Sequence, residues 1–171
     1  MILAGCQFIS HGKLDKSKLS KVKMNDVSEE QQAKIPLTYE APSLEVGLKA
    51  LPFAMKLPEK LPFAAKPFQP PIIEDFNHNG QQLLVRIRTS SEDEKDQIIL
   101  HVQSDFPVNE MTIPNMEEVE LDKKMIGYYN GKALNFIVEN VAYSIIYLNP
   151  GLSPEQHKKE IMEMANQMLN Q

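Results

Sequence analysis

Side chains that could act as nucleophiles or metal ligands are few in this chain, and their spacing matches no catalytic motif. The single cysteine is Cys6, and the histidines are His11, His78, His101 and His157. They lack the H-E-x-x-H spacing of a zinc site, and the chain has no G-x-S-x-G elbow or phosphate-binding loop. As a nucleophile, Cys6 would need a histidine held beside it in a structured pocket. We therefore predict a protein that is not an enzyme, with no catalytic residue, metal site or cofactor.

The most specific chemical signal is the position of Cys6 directly after Leu3-Ala4-Gly5. This segment resembles the lipobox of bacterial lipoprotein precursors, in which a signal peptidase cuts before a cysteine whose sulfur carries diacylglycerol. A buried free cysteine is the alternative, but a residue so close to a chain end has little core to enter. We predict that residues 1–6 are a truncated signal peptide and that Cys6 is the lipid attachment site, acylated with chains such as palmitate.

The residues before Cys6 are too few to direct export. A signal peptide needs a basic region and an apolar stretch of roughly 7–15 residues before the cleavage site. Only Met1, Ile2 and Leu3 precede the lipobox alanine. We expect that the start codon is placed too late or that the chain was trimmed.

Charge divides the chain into a tether and a domain. The net charge of −5 argues against nucleic acid as the main partner. Residues 7–42 are polar and rich in lysine, which predicts a tether between the anchor and a single domain over 43–171. Beside an anionic bilayer the lysines of this segment would add electrostatic attraction to a lipid anchor. The alternative is a solvated linker whose charge does nothing specific.

The domain pattern predicts the α+β class. From about Ile72 the chain alternates as an antiparallel sheet of about five to seven strands, covered on one face by a C-terminal helix. Ser153 caps that helix, and its apolar stripe comprises Ile161, Met164, Ala165, Met168 and Leu169. A short helix begins at Ser43. It leads into a proline-rich strap with the echoed segments LPFAMK (51–56) and LPFAAK (61–66), expected along a sheet edge.

Two hairpin turns fix which side chains share a face. Asn130-Gly131 predicts a tight turn that pairs Tyr129 with Lys132, and Glu139-Asn140 predicts the next one. The resulting register places one group of side chains on the face opposite the main core. This second face carries Tyr128, Ile137 and Ile146, diluted by Asn135 and Ser144. Because a solvated face would be more polar, we expect a cover from the chain's own segments, from a partner or from a ligand.

A polar group on two other strands is the remaining candidate site. Arg86 and Arg88 share a face of their strand, and the next strand could place His101 and Gln103 beside them. Such a group could bind an anion, although solvated polar positions are the simpler interpretation.

The order of these signals resembles a domain family of unknown function found in extracellular lipoproteins and anti-sigma-type membrane proteins of Gram-positive bacteria. The resemblance covers about three quarters of the chain. It rests on SLEVGLKALPF (43–53), the Leu-Pro-x-x-Leu-Pro element LPEKLP (57–62), the Gly-Tyr-Tyr hairpin IGYYNGKALNF (126–136) and LSPEQHKKEI (152–161). It implies a sheet-plus-helix fold similar to lipoprotein-carrier proteins, and no catalytic residues.

Together these features predict a non-enzymatic cell-surface lipoprotein, monomeric and lipid-anchored to the extracellular face of the cell membrane of a Gram-positive bacterium. Its role would be an interaction or envelope-sensing module with an envelope protein partner. The alternative is a carrier of an apolar ligand, such as an acyl chain, on the second face. In either case the predicted ligand or partner surface comprises Tyr128, Ile137 and Ile146.

Overall fold

The computed structural model describes residues 12–23 and 28–171. All the strands of these residues belong to one antiparallel sheet. In these residues the sheet has nine strands: β1 (Ser20–Lys21), β2 (Leu37–Glu40), β3 (Ile72–Asp75), β4 (Leu83–Ser90), β5 (Ile99–Phe106), β6 (Glu117–Glu120), β7 (Ile126–Tyr129), β8 (Ala133–Val138) and β9 (Val141–Leu148). The helices are α1 (Glu29–Gln32), α2 (Leu44–Ala50) and α3 (Pro154–Leu169). The predicted α+β class, with an antiparallel sheet and a C-terminal helix, is confirmed.

The prediction of five to seven strands is wrong, because nine strands form the sheet of the described residues. The strands without a sequence signal are β1, β2 and β6, whose sequences are SK, LTYE and EEVE. Each has four residues or fewer, so none shows the sustained alternation from which a strand is predicted.

The strand order is β1-β2-β3-β4-β5-β9-β8-β7-β6. Strands that follow one another in the chain are neighbours in the sheet, except for β5 and β6. The neighbour of β5 on that side is β9. This central pairing joins two meanders, β1 to β5 and β6 to β9. All the neighbouring pairs are antiparallel.

Helix α3 packs on one face of the sheet, which we call the covered face. The Ser153 hydroxyl accepts a hydrogen bond from the backbone N–H of Gln156 at 3.2 Å, and Pro154 begins the helix. The predicted apolar stripe is confirmed, because its five residues are at most 3% exposed. This stripe packs in one cluster with the buried side chains of β5, β8 and β9.

The proline-rich strap, residues 51–69, also packs against the covered face. Phe53 stacks on Phe106 with ring centroids 4.8 Å apart, and Phe63 stacks on Tyr147 at 6.0 Å. Further along, the strap follows the end of β4 through a bridge between Ala65 and Ser91. The expected position along a sheet edge therefore describes only its last residues, and the rest helps to fill the main core.

The N-terminal residues lie against the sheet where the sequence analysis placed a tether over 7–42. Leu14 is 6% exposed and Tyr39 is also 6% exposed, and both belong to the core beside α2. Strands β1 and β2 extend the sheet from the same segment. The tether is thus corrected for residues 14–23, whose lysine-rich composition concealed a few well-spaced apolar contacts, and for residues 35–42, which contain no lysine and include β2.

The two hairpin turns differ from one another. Glu139 and Asn140 both have positive φ, at 50° and 67°, and connect β8 to β9 as a two-residue turn. At the other turn Tyr129 pairs with Leu134 instead of Lys132, so the register is shifted by two residues. The shift of two residues preserves the predicted faces, because side chains alternate with a period of two. The shift arises because the Asn130 side chain accepts hydrogen bonds from the backbone N–H groups of Lys132 and Ala133.

Candidate interaction surface

The face of the sheet opposite α3, which we call the second face, is where the structure places all three predicted surface residues. Tyr128, Ile137 and Ile146 lie on β7, β8 and β9, and each is half-buried. Each follows or precedes a residue of the core in its strand, which fixes its direction away from the covered face. The three residues do not lie directly opposite one another, however, because they occupy three different rows across the strands.

The middle row of the second face is polar over five adjacent strands. Each member lies directly opposite the next in the strand register. We call this set the polar row: Arg86, Gln103, Ser144, Asn135 and Tyr128. It separates the row that contains Ile146 from the row that contains Ile137. The second face is therefore not a continuous apolar surface.

The row beside the polar row combines a cation, a histidine and aliphatic side chains. Arg88 lies opposite His101, which lies opposite Ile146. Partial burial, and then the charge of Arg88, hold the pKa of His101 below its ordinary value. The side chain of Arg88 is exposed and makes no ion pair with another described residue. A neutral His101 next to an unpaired Arg88 can accept a hydrogen bond beside a site for a carboxylate.

On the side of the polar row away from Arg88, two members of the row donate hydrogen bonds to carboxylates. The guanidinium of Arg86 donates two hydrogen bonds to the Glu74 carboxylate, at 2.9 and 3.3 Å. Gln103 donates to Asp105 at 3.3 Å. Burial raises the pKa of Asp105 above its ordinary value, an effect that the bond from Gln103 and the charge of Arg86 oppose. The predicted grouping of Arg86, Arg88, His101 and Gln103 is thus present, with Arg86 already paired.

The loop after β5, residues 107–116, covers part of the second face. It begins at the β8–β9 turn, where Val108 N–H donates to Asn140 O at 2.8 Å. It ends beside the polar row, where the amide of Asn135 contacts the Met116 sulfur at 3.7 Å. The strap and α2, the other segments of the chain that could have covered this face, pack against the covered face instead. The sequence gives no signal for this loop as a cover, because its prolines and polar residues show no period.

The other histidines among the described residues have structural partners. His157 is 7% exposed and lies between the Tyr129 hydroxyl, 2.9 Å from Nδ1, and the Tyr147 carbonyl, 2.7 Å from Nε2. His78 Nε2 lies 2.8 Å from the carbonyl oxygen of Ile35. Within residues 12–23 and 28–171, no group of three or more His, Cys, Asp or Glu side chains could hold a metal ion.

The predicted lipid attachment site, Cys6, and the lipobox before it lie outside the described residues. The assignment of residues 1–6 therefore stays a prediction. In the part of the chain that the structure describes, no helix combines the length and the hydrophobicity that crossing a bilayer requires.

The fold and this surface define a class: an α+β domain with one face filled by its own segments and one face of mixed polarity. No family model, curated protein or solved structure matches the chain.

Proposed function

We propose that this protein is a non-enzymatic lipoprotein of the Gram-positive cell surface, anchored through Cys6, whose second face binds an envelope protein. The observation that supports this proposal is the polar row, which crosses the centre of the predicted surface. Its side chains offer donors and acceptors that a protein partner can match. The anchor itself rests on Leu3-Ala4-Gly5-Cys6 alone.

The polar row favours a protein over an acyl chain as the occupant of the second face. An acyl chain would cover Gln103, Ser144 and Asn135 without offering hydrogen bonds. Leaving a buried polar group without a partner costs about 1–3 kcal/mol. The covered face is not an alternative site, because α2, α3 and the strap already pack against it.

The partner's chemistry follows from the row that contains Arg88, His101 and Ile146. An exposed, unpaired arginine favours a carboxylate on the partner, held by two parallel hydrogen bonds. Ile146 and the neighbouring Leu148, which is 39% exposed, favour an apolar side chain next to that carboxylate. The proposed partner is therefore a protein segment that carries an acidic and an apolar residue side by side.

Site-specific crosslinking in the native host tests this surface. A photoreactive residue at Ser144, in the centre of the polar row, should capture one envelope protein. The crosslink should be lost in Ile146→Asp and in Arg88→Glu, with the melting temperature little changed because both sites can hydrate a charge. Phe76→Asp is the matched control, since Phe76 is 42% exposed, follows the last residue of β3, and lies outside the polar row and three strands from Ile146.

Native mass spectrometry of the purified protein decides between partner and carrier. A bare protein mass, together with a crosslink that both variants abolish, supports the interaction module. A co-purifying lipid that disappears in Ile146→Asp would reject it in favour of the carrier. To test the anchor, an upstream signal peptide is restored and the intact mass of the membrane-extracted protein is measured. An unmodified Cys6 would reject the lipoprotein assignment.

A further inference from the structure

Basic side chains are concentrated at one edge of the sheet, in β1 and the residues around it. Residues 12–23 carry five lysines and one aspartate, whereas residues 28–171 carry thirteen basic and twenty-one acidic side chains. Within the edge, Lys16 is paired with Asp75. The four other lysines of this segment are exposed, and we call them the basic edge: Lys13, Lys18, Lys21 and Lys23.

The basic edge has a fixed position because its segment is bound to the domain. The backbone N–H of Leu14 donates to Gly80 O at 2.8 Å, and that of Asp15 donates to Ala50 O at 2.9 Å. The Lys16 ammonium donates at 2.8 Å to the fully buried carboxylate of Asp75, which also accepts the N–H of Gly80. The lysines therefore belong to a surface of the folded domain and not to a linker.

The opposite edge of the sheet has the opposite charge. Strand β6 exposes Glu117, Glu118 and Glu120, of which Glu117 is paired with Lys158 at 2.7 Å. The strand lies eight strand spacings from β1. At about 4.8 Å per spacing, the two edges are roughly 38 Å apart along the sheet. A domain with this charge separation takes a preferred orientation beside a charged plane, with the basic edge towards negative charge.

We infer that the basic edge is the membrane-facing surface of the domain and that it binds the headgroups of anionic lipids. The inference rests on the proposed lipid anchor, since it explains why the anchor and the lysines lie so close in the chain. Seven residues separate Cys6 from the fixed position of Leu14, which is at most about 28 Å of extended chain. The bilayer then lies next to β1, and β6 and the second face remain accessible to a partner.

Binding of an unacylated chain to lipid vesicles tests this inference without the anchor. The full chain with Cys6→Ser is mixed with vesicles of phosphatidylcholine alone or with about one third phosphatidylglycerol. Binding should occur only with the anionic vesicles and should weaken as salt rises, because the interaction is screened. Each lysine near an anionic surface contributes about fivefold to partitioning. Replacing all four lysines of the basic edge by glutamine should therefore lower binding by two orders of magnitude or more.

A second set of four exposed lysines provides a control with the same change in net charge: Lys66, Lys95, Lys124 and Lys132, each replaced by glutamine. This control should bind anionic vesicles within about threefold of the parent. Equal losses in the two variants, or no preference of the parent for anionic vesicles, would overturn the inference. The anchor is judged separately by the mass of Cys6. A lipidated Cys6 with no vesicle preference refutes the inference alone, and vesicle binding with an unmodified Cys6 refutes the anchor alone.

Discussion

Two neighbouring rows of side chains cross the same five strands, and they differ in almost every physical property. The first is the polar row on the second face. The second is the apolar row on the covered face, shifted by one residue in each strand: Ile87, Val102, Ile145, Leu134 and Tyr129. Every member of the apolar row is at most 7% exposed. One sheet thus separates stability and surface chemistry by the alternation of its strands.

The stability of the domain depends mainly on the covered face and not on the second face. The covered face packs against α2, the strap and α3, so its apolar area already supplies a complete core. The polar row contributes little to that core, and the side chains of Arg86 and Gln103 donate their hydrogen bonds to Glu74 and Asp105, outside the row. A slip of one residue in any of these strands would exchange the two rows, at a large cost in buried polar groups.

The largest expected effect comes from truncating adjacent residues that point to opposite faces. Phe136 is fully buried on the covered face and stacks on Tyr143 with centroids 5.5 Å apart, whereas Ile137 is half-buried on the second face. Phe136→Ala should lower the free energy of unfolding by about 3–5 kcal/mol. Ile137→Ala should lower it by about 1 kcal/mol, because much of its surface stays hydrated. Urea unfolding measures both, and equal losses would mean that the second face is as closely packed as the covered face.

The sequence predicted those parts of the fold whose signal is local. The cap at Ser153 and the apolar stripe identified α3, because the signals for a helix end and for a buried helix face both come from residues close together in the sequence. The faces of β8 and β9 were also predicted correctly, even though the register at the Asn130 turn differs by two residues from the predicted one. An even shift in register leaves every side chain on its face.

The remaining features depend on contacts between residues far apart in sequence. The polar row is continuous only because β5 pairs with β9, which brings Gln103 opposite Ser144. Alternation within a strand cannot reveal its neighbour, so the sequence placed Ser144 and Gln103 in separate groups. The attachment of Lys16 to Asp75 has the same character, since 59 positions separate the two residues. In both cases tertiary pairing, rather than local pattern, creates the surface.

A smaller effect concerns a polar group within the covered face. Tyr143 is 2% exposed, and its hydroxyl accepts a hydrogen bond from Lys56 N–H at 3.1 Å, which holds the strap. Burial raises the pKa of Tyr143 to about 12 from an ordinary value near 10. The folded state therefore keeps a proton that the unfolded chain releases above pH 10. Stability from this group is complete below pH 10 and is lost as the pH rises towards 12, by about 2–3 kcal/mol.

Unfolding in urea at successive pH values from 9 to 12 measures this loss in the parent and in Tyr143→Phe. The variant should be less stable at pH 9 by about 1 kcal/mol, because the Lys56 N–H loses its acceptor. Its further decline with pH should be shallower than that of the parent. Parallel declines in the two proteins would show that Tyr143 ionises as readily in the folded state as in the unfolded chain.

The smallest effects concern the two turns that flank β8 and hold the two rows in register. Gly131 has φ of +87° with no atom near the position of an added Cβ, so Gly131→Ala should cost about 1 kcal/mol through backbone strain alone. Glu139 has φ of +50° at an exposed position, where asparagine tolerates the left-handed region better than glutamate. Glu139→Asn should therefore raise the free energy of unfolding by about 0.5 kcal/mol. Glu139→Ala removes the same charge but keeps the strain, so thermal unfolding should show no gain for it. A gain as large as that of Glu139→Asn would assign the effect to charge instead of backbone geometry.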